Sequence, residues 1–466
     1  MTRAPAAETQ TLHETHAATA RALEWQAPPL PKVAWGKGCY VYDTDGRQYI
    51  DGSAGPAVFS LGHAHEEVNT AIKDQLDRIA HGYRYTFTSD PLEELTALVA
   101  GNCGGGLRYM TFCSSGSEAV ESCLKIALQY HAARGEMSRR RFIARERSWH
   151  GNTLGALAVS GFLDRRQVFE GALAPASLLS PANVYRPPAG LAADAAPAKV
   201  AQACAAELEA EILRCGPETI AAFIFEPVVG AAGGCVPAPP GYAKLVREIC
   251  DRHDVLMIAD EVMCGSGRCG TWRALETDGV EPDIMSVAKG LAGGYIPLSA
   301  AIYHERLRGV MFEAHGGLMT GHTFTGHTAA CAAGVAVQKV IARDHLLRNV
   351  TEMGLYLRQL LQQTLGDRPY IGDIRGRGLF LGIELVGDKA GKEPFAPELK
   401  LNGRLREQAF ENGLICYPVG GNVDGRMGDI VILSPPYIVT RAEIEEIVDK
   451  LQRSLTSVMK DVKGMA

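Results

Sequence analysis

The sequence predicts an α/β protein: a large unit with a mostly parallel sheet flanked by helices, and a smaller α+β unit drawn from both termini. Three observations carry that prediction. From about Pro91 onward, short apolar runs alternate with stretches of helical spacing, the pattern of strand–helix–strand units. The apolar runs are short and continuous, as in strands buried on both faces. After about Asp344 the character shifts to a long helix, alternating segments and a closing helix. This divides the chain into 1–80 (an arm and part of the smaller unit), 81–343 (the large unit) and 344–466 (the rest of the smaller unit).

Taken in order, residues 1–20 are polar and alanine-rich and read as a loose arm, or as a helix that a partner orders. Residues 41–51 read as a hairpin turning at Asp45-Gly46. Residues 52–65, G-S-A-G-P-A-V-F-S-L-G-H-A-H, carry too many small residues for regular structure, and long irregular segments are often functional. Residues 66–80 have helical spacing, with Val68, Ile72, Leu76 and Ile79 on one face. Strands are expected at 109–113, 141–144, 220–225, 255–259 and 284–288, and helices at 117–132, 199–214, 241–253 and 328–342. The Pro- and Ala-rich stretch 181–197 reads as a surface excursion. Beyond residue 344 a helix is expected at 346–364, strand-like segments at 379–385 and 430–433, and a helix at 441–455.

Composition narrows the function classes. A hydrophobic share of 46% with 21% charged residues is that of a soluble globular chain. The net charge of -6 recommends neither nucleic acid nor an acidic membrane as partner. The 12 cysteines include no C-x-x-C pair and no Cys/His cluster at metal spacing, so no metal is expected and the compartment reads as reducing, hence cytoplasmic. The N-terminus lacks the apolar core of a signal peptide, and no apolar run is long enough to span a bilayer.

Ligands in open α/β sheets bind at the carboxyl ends of the strands, so the residues that follow each strand matter most. The stretch 284–295, I-M-S-V-A-K-G-L-A-G-G-Y, ends an apolar strand on Lys289 and continues into a glycine-rich loop. Burial lowers a lysine's pKa towards the neutral amine that can form a Schiff base. The alternative is a solvated lysine at a strand end. After 109–113 comes Ser114-Ser115-Gly116-Ser117, just before a helix, where free N–H groups and small hydroxyls suit a phosphate. One serine there could be an ordinary N-cap. After 141–144 comes Ser148-Trp149-His150-Gly151, where an aromatic beside a glycine could stack on a planar cofactor or simply fill the core. Glu226 and Asp260 end two further apolar strands, and a carboxylate there is costly unless it meets a cation or a donor. A nucleophilic lysine, an acid for a ring nitrogen, a stacking ring and a phosphate cradle are together the set that pyridoxal 5′-phosphate requires.

In this setting the chain resembles the class III, ω-aminotransferase-like, PLP-dependent aminotransferases of fold type I. The resemblance runs over nearly the whole length: G-S-A-G-P-A-V-x-x-L-G-H, S-S-G-S-E-A-V-E, S-W-H-G-N-T-L-G-A-L, F-E-P-V-V-G-A-A-G-G, I-A-D-E-V-M-x-G-x-G-R-x-G, A-K-G-L-A-G-G-Y-x-P-L and H-T-F-T-G-H, in that order. It implies a large PLP-binding domain with a smaller α+β domain and assigns roles. Lys289 would carry the cofactor as an aldimine and transfer protons, with Asp260 on the pyridine nitrogen. Val262 would pack beneath the ring opposite Trp149, where the family more often has Tyr or Phe. Ser115, Gly116 and Ser117 would hold the phosphate, and Thr323 would reach it from the neighbouring subunit of a homodimer. His150 would line the cofactor site, Glu226 would sit near the phenolic oxygen, and Arg268 would brace the loop after Asp260.

Members of the family acting on ornithine or 4-aminobutyrate carry a glutamate five positions after the E of E-P and an arginine before the P-P pair. This chain has Ala231 and Ile432 there. Arg426, in G-N-V-D-G-R-M-G-D, is the candidate to hold a keto-acid carboxylate instead, unless it is a solvated loop arginine. Pro56, Ala57, Val58, Tyr85 and Phe87 are candidate pocket walls. The resemblance therefore implies amino transfer from an amine or ω-amino acid to a keto acid such as pyruvate, by dimers or tetramers. A decarboxylase, racemase or aminomutase of the same fold is the alternative, and an inactive scaffold of that fold is a rival of another class. A nicotinamide-dependent dehydrogenase would need a G-x-G-x-x-G between strand and helix, and none is present.

Overall fold

The computed structural model describes residues 30–465, so the expected arm at 1–20 lies outside the described residues. The chain opens with β1 (Val33–Lys37), β2 (Tyr40–Asp43) and β3 (Gln48–Asp51). The β2–β3 turn is fixed by Asp43, whose Oδ1 accepts the N–H groups of Asp45 at 3.0 Å and Arg47 at 2.9 Å. The middle of the chain adds β4 (Leu107–Cys113), β5 (Arg141–Arg145), β6 (Ala176–Leu179) and β7 (Ile220–Phe225), then the short β8 (Val228–Val229) and β9 (Val236–Pro237). β10 (Leu256–Asp260), β11 (Ile284–Val287) and β12 (Ser299–His304) follow. The last part supplies β13 (Ile371–Arg377), β14 (Phe380–Leu385), β15 (Leu414–Ile415), β16 (Tyr417–Gly420) and β17 (Asp429–Leu433).

A seven-stranded sheet of order β4-β12-β11-β10-β7-β5-β6 forms the centre. Its pairs from β6 through β11 are parallel, and β12 runs antiparallel to both of its neighbours. The two-residue period of the strands divides the core. Phe223, Phe225, Met257, Met285 and Val287 face helices 90–103, 197–215, 242–253 and 328–343. Ala222, Ile224, Leu256, Ile258 and Ile284 face helices 116–133 and 305–315. With both faces covered, every position of β7, β10 and β11 is buried, which explains their unbroken apolar sequences.

A four-stranded antiparallel sheet, β13-β14-β17-β16, packs one face on helices Leu346–Leu365, Leu401–Glu411 and Arg441–Met465. Its other face, through Phe380, Ile430 and Ile432, meets Met263 and Phe162. The third sheet, β1-β2-β3-β15, joins the start of the chain to residues 414–415.

The strands expected at the centre are present within two residues of their expected ends, and the irregular character of 52–65 is real: Gly55 and Pro56 are non-helical inside the one short turn there. The structure adds β6 and β12, which the sequence reading did not name. It also corrects the helix expected at 66–80. That helix is Glu66–Arg78, and it buries Val68 and Gln75 while Leu76 and Ile79 stay about half exposed. The excursion at 181–197 is not wholly superficial either. Asn183 is buried, and Arg186 donates to Glu384 of β14 at 2.7 Å.

Candidate active site

A cavity of ≈ 340 Å³ opens at the carboxyl ends of β4, β5, β7, β10 and β11, where an α/β sheet places its ligands. Ser114, Ser115, Gly116, Ser117, Trp149, His150, Glu226, Asp260, Val262 and Lys289 all line it, together with Val58 from the irregular stretch. Residues scattered from 58 to 289 are thus brought together.

Lys289, two residues beyond β11, has a left-handed conformation, φ 47°, which a non-glycine residue adopts only when its surroundings enforce it. Its Nζ donates to the carbonyl of Pro56 at 3.3 Å. The side chain is partly buried at the cavity wall. Burial pushes its pKa down to about 8, against the pull of Asp260 and Glu226 and with help from the Arg268 cation. Near neutral pH an appreciable share of the amine is therefore free of its proton.

Asp260 is the last residue of β10, and register decides its partners. It lies opposite Ser286 of β11, whose hydroxyl donates to Oδ1 at 2.8 Å; the Val262 N–H donates to the same oxygen at 3.0 Å. Oδ2 meets His150 Nδ1 at 2.7 Å. A carboxylate can only accept, so the buried ring donates to it from Nδ1. Three donors thus hold one buried carboxylate, which offsets the cost of placing it there.

Glu226 accepts the N–H groups of Trp149 at 2.9 Å and Gly230 at 2.8 Å. Burial raises its pKa to about 7, opposed by His150 and reinforced by Asp260. The helix Gly116–Ala133 starts at the cavity wall. The Ser115 hydroxyl caps it by accepting the Glu118 N–H at 3.2 Å, so the N-cap reading was right for that side chain. The first N–H groups of the helix, those of Gly116 and Ser117, have no intrahelical partner and lie at the cavity wall, the kind of group that suits an anion. The Ser117 hydroxyl accepts the Asn152 N–H at 2.9 Å, and Gly151 (φ 141°) lets the two loops touch: a Cβ there would lie 2.6 Å from Ser117 Oγ. Trp149 meets Phe162 edge-on, 5.9 Å between centroids, with the Arg165 guanidinium over its ring.

Several expected residues lie elsewhere. Tyr85 and Phe87 are 75% and 66% exposed and do not line the cavity of their own chain. Thr323 is exposed on a turn, and Arg426 is exposed in its loop and does not reach the cavity. Ala231 and Ile432 are both buried, and Ile432 packs in an apolar cluster with Met263 and Phe380. Arg268 is buried and ties three segments together. Its Nη1 donates to the carbonyls of Leu379 at 3.1 Å, Ser434 at 3.0 Å and Pro435 at 2.6 Å. The sequence reading missed Ser286 and the orienting role of His150. The one available signal was a lone serine inside an otherwise apolar strand.

Comparison with known proteins agrees with this geometry. A family profile described as "Aminotransferase class-III" matches residues 24–455. An uncharacterized aminotransferase of Schizosaccharomyces pombe is 43% identical over 92% of this chain and 93% of its own length. The solved (S)-enantioselective ω-transaminase from Thermomicrobium roseum superposes with a TM-score of 0.87 at 32% identity, covering 95% of this chain and 98% of that one. The ω-transaminase of Pseudomonas jessenii, solved in complex with PMP, gives 0.88 at 31% identity over the same shares.

Proposed function

The chain belongs to the class-III aminotransferases, and from that premise we propose that it moves an amino group from an amine or ω-amino acid to a keto acid such as pyruvate, at a site holding pyridoxal 5′-phosphate. The reading rests on one observation: the Lys289 amine and the Asp260 carboxylate wall a single cavity, each oriented by named partners.

The residues fit that cofactor. Unpaired N–H groups at the start of the helix Gly116–Ala133, with the Ser115 and Ser117 hydroxyls, suit its phosphate. Asp260, fixed by His150, Ser286 and Val262, suits a protonated ring nitrogen, and Val262 and Trp149 suit the two faces of the ring. When bound, the cofactor supplies an aldehyde that takes the amino group and a cationic heterocycle that draws electrons from the neighbouring carbon. Lys289 would anchor it; once displaced by the incoming donor, its neutral amine would take the proton from the donor carbon, and the resulting ammonium would be the acid that gives a proton back. Asp260 keeps the ring nitrogen protonated. Glu226 holds the Trp149 backbone in place. The side chains at 231 and 432 offer no fixed guanidinium, which favours donors lacking a second carboxylate.

Tyr85, Phe87, Met319 and Phe324 expose large apolar surfaces, and the His81–Phe324 ring contact at 5.6 Å joins their two segments. A second copy of the chain covering this patch would bring Thr323 towards a neighbouring cavity, so we read the protein as a homodimer, or a pair of dimers, with shared sites. Among the described residues no helix is long and apolar enough to cross a membrane, and all 12 cysteines are free. Both suit the cytoplasmic reading, and the division at residues 80 and 343 remains our reading of the domains. Purified protein mixed with an amine panel and pyruvate should form alanine. With a panel of amino acids in place of the amines, release of carbon dioxide or racemised amino acid without alanine would move the assignment to the alternative reactions.

A further inference from the structure

A second cavity of ≈ 300 Å³ is lined by Glu226 but not by Lys289. It also opens at strand carboxyl ends, here those of β5, β6 and β7, and Glu226 is shared with the first cavity. Its walls are largely apolar, including Pro181, Pro188, Phe225 and Val236. Three arginines line it, and their surroundings differ. Arg145 is engaged by the Tyr242 hydroxyl at 2.7 Å and the Cys204 carbonyl at 2.9 Å, and Arg186 by Glu384 and the Lys392 carbonyl, both at 2.7 Å. Arg147 is 8% exposed, yet its Nε and Nη1 are buried without a hydrogen-bond partner.

Asn422 lines the same cavity, is 4% exposed, and leaves both its amide nitrogen and its amide oxygen unpaired. Buried polar atoms are rarely left so. The nearby carboxylates do not answer Arg147. Asp424 feels its charge but accepts the N–H groups of Arg426 and Met427, Glu226 is bonded to two N–H groups, and Glu146 lies exposed on the rim. Arg147 is also fixed in place: its backbone is left-handed, φ 56°, and its N–H donates to the Gly161 carbonyl at 3.1 Å. Gly425 makes room for the guanidinium, because a Cβ there would lie 2.5 Å from Nη1.

We propose that this second cavity binds a small organic carboxylate, its charged end held by Arg147 and Asn422 and its hydrocarbon body against the proline-lined wall. A guanidinium and an amide donor suit a carboxylate, and the dry walls favour an apolar body over a hydrated inorganic anion. The site stands apart from the chemistry at Lys289 and touches it only through Glu226.

Titrating benzoate into the cofactor-loaded enzyme by calorimetry tests this. One saturable site per chain is expected, with benzyl alcohol binding at least about tenfold more weakly because it lacks the charge. Arg147→Gln and, independently, Asn422→Asp should each weaken benzoate about tenfold or more while cofactor absorbance and thermal midpoint report a folded protein. Lys289→Ala should leave benzoate affinity within about twofold. No saturable binding would mean a merely hydrated void and would overturn the proposal. So would loss of binding in Lys289→Ala with retention in Arg147→Gln, or phosphate displacing benzoate at lower concentration than benzoate itself binds.

Discussion

At Lys289, burial and charge oppose each other, and the balance can be measured. Its pKa falls to about 8 in the folded chain from the 10.5 of an exposed lysine. Between those values the unfolded chain binds more protons, so stability of the cofactor-free protein should rise with pH across that window. Below about 8 the charged amine costs on the order of 3 kcal/mol. Cofactor-free Lys289→Met should therefore unfold at higher temperature than the cofactor-free parent at pH 7, lose that advantage near pH 10.5, and have no transaminase activity. The rate at which cofactor-free protein takes up pyridoxal 5′-phosphate should climb as pH passes about 8, since only the neutral amine reacts. A rate that is flat from pH 6 to 9 would remove the claim of a lowered pKa. His150→Phe deprives Asp260 of its shortest contact, and kcat should drop roughly 10- to 100-fold, the equivalent of one buried charged hydrogen bond. Lys289, Asp260 and Glu226 were legible in sequence because ionisable residues that end apolar strands need a reason to be there. The pairing of His150 with Asp260 was not, because 110 positions separate the two and only the sheet order brings them together.

At the scale of elements, the strands ending in the cavity were readable because both of their faces are covered, leaving an unbroken apolar run. β12 was harder. It reverses direction beside β11 without a crossover helix, and its sequence, S-A-A-I-Y-H, is short and half alanine or serine. The face of helix Glu66–Arg78 misled for a related reason, since periodicity marks an apolar stripe without saying what covers it. Register makes its own prediction. Ser286→Ala removes a single hydroxyl from Asp260 without disturbing the β10–β11 pairing, so cofactor affinity should weaken several-fold with little change in thermal midpoint. Gly151→Ala acts differently. Its backbone is one that side chains resist, and the added carbon would strike Ser117, so the two loops must separate and cofactor affinity should fall about tenfold or more by titration.

At the scale of the molecule, the aromatic residues Tyr85, Phe87 and Phe324 lie exposed to water on a lone chain. Sedimentation should show dimers or tetramers, and Thr323→Ala should weaken cofactor binding without changing the sedimentation coefficient. If Thr323→Ala binds the cofactor as the parent does, the neighbouring subunit contributes nothing through that residue. Of the pocket walls assigned from sequence, Val58 lines the cavity and Tyr85 and Phe87 do not within their own chain, because an apolar residue in a loop carries no periodicity to say what covers it.

The contact between the Lys289 amine and the Pro56 carbonyl spans 233 positions. A ribosome working at roughly 5–20 residues per second therefore releases the acceptor some tens of seconds before the donor. Throughout that interval the nascent polypeptide lacks Lys289. The oriented amine can thus form only once residue 289 has been made, with 177 of the 466 residues still to come.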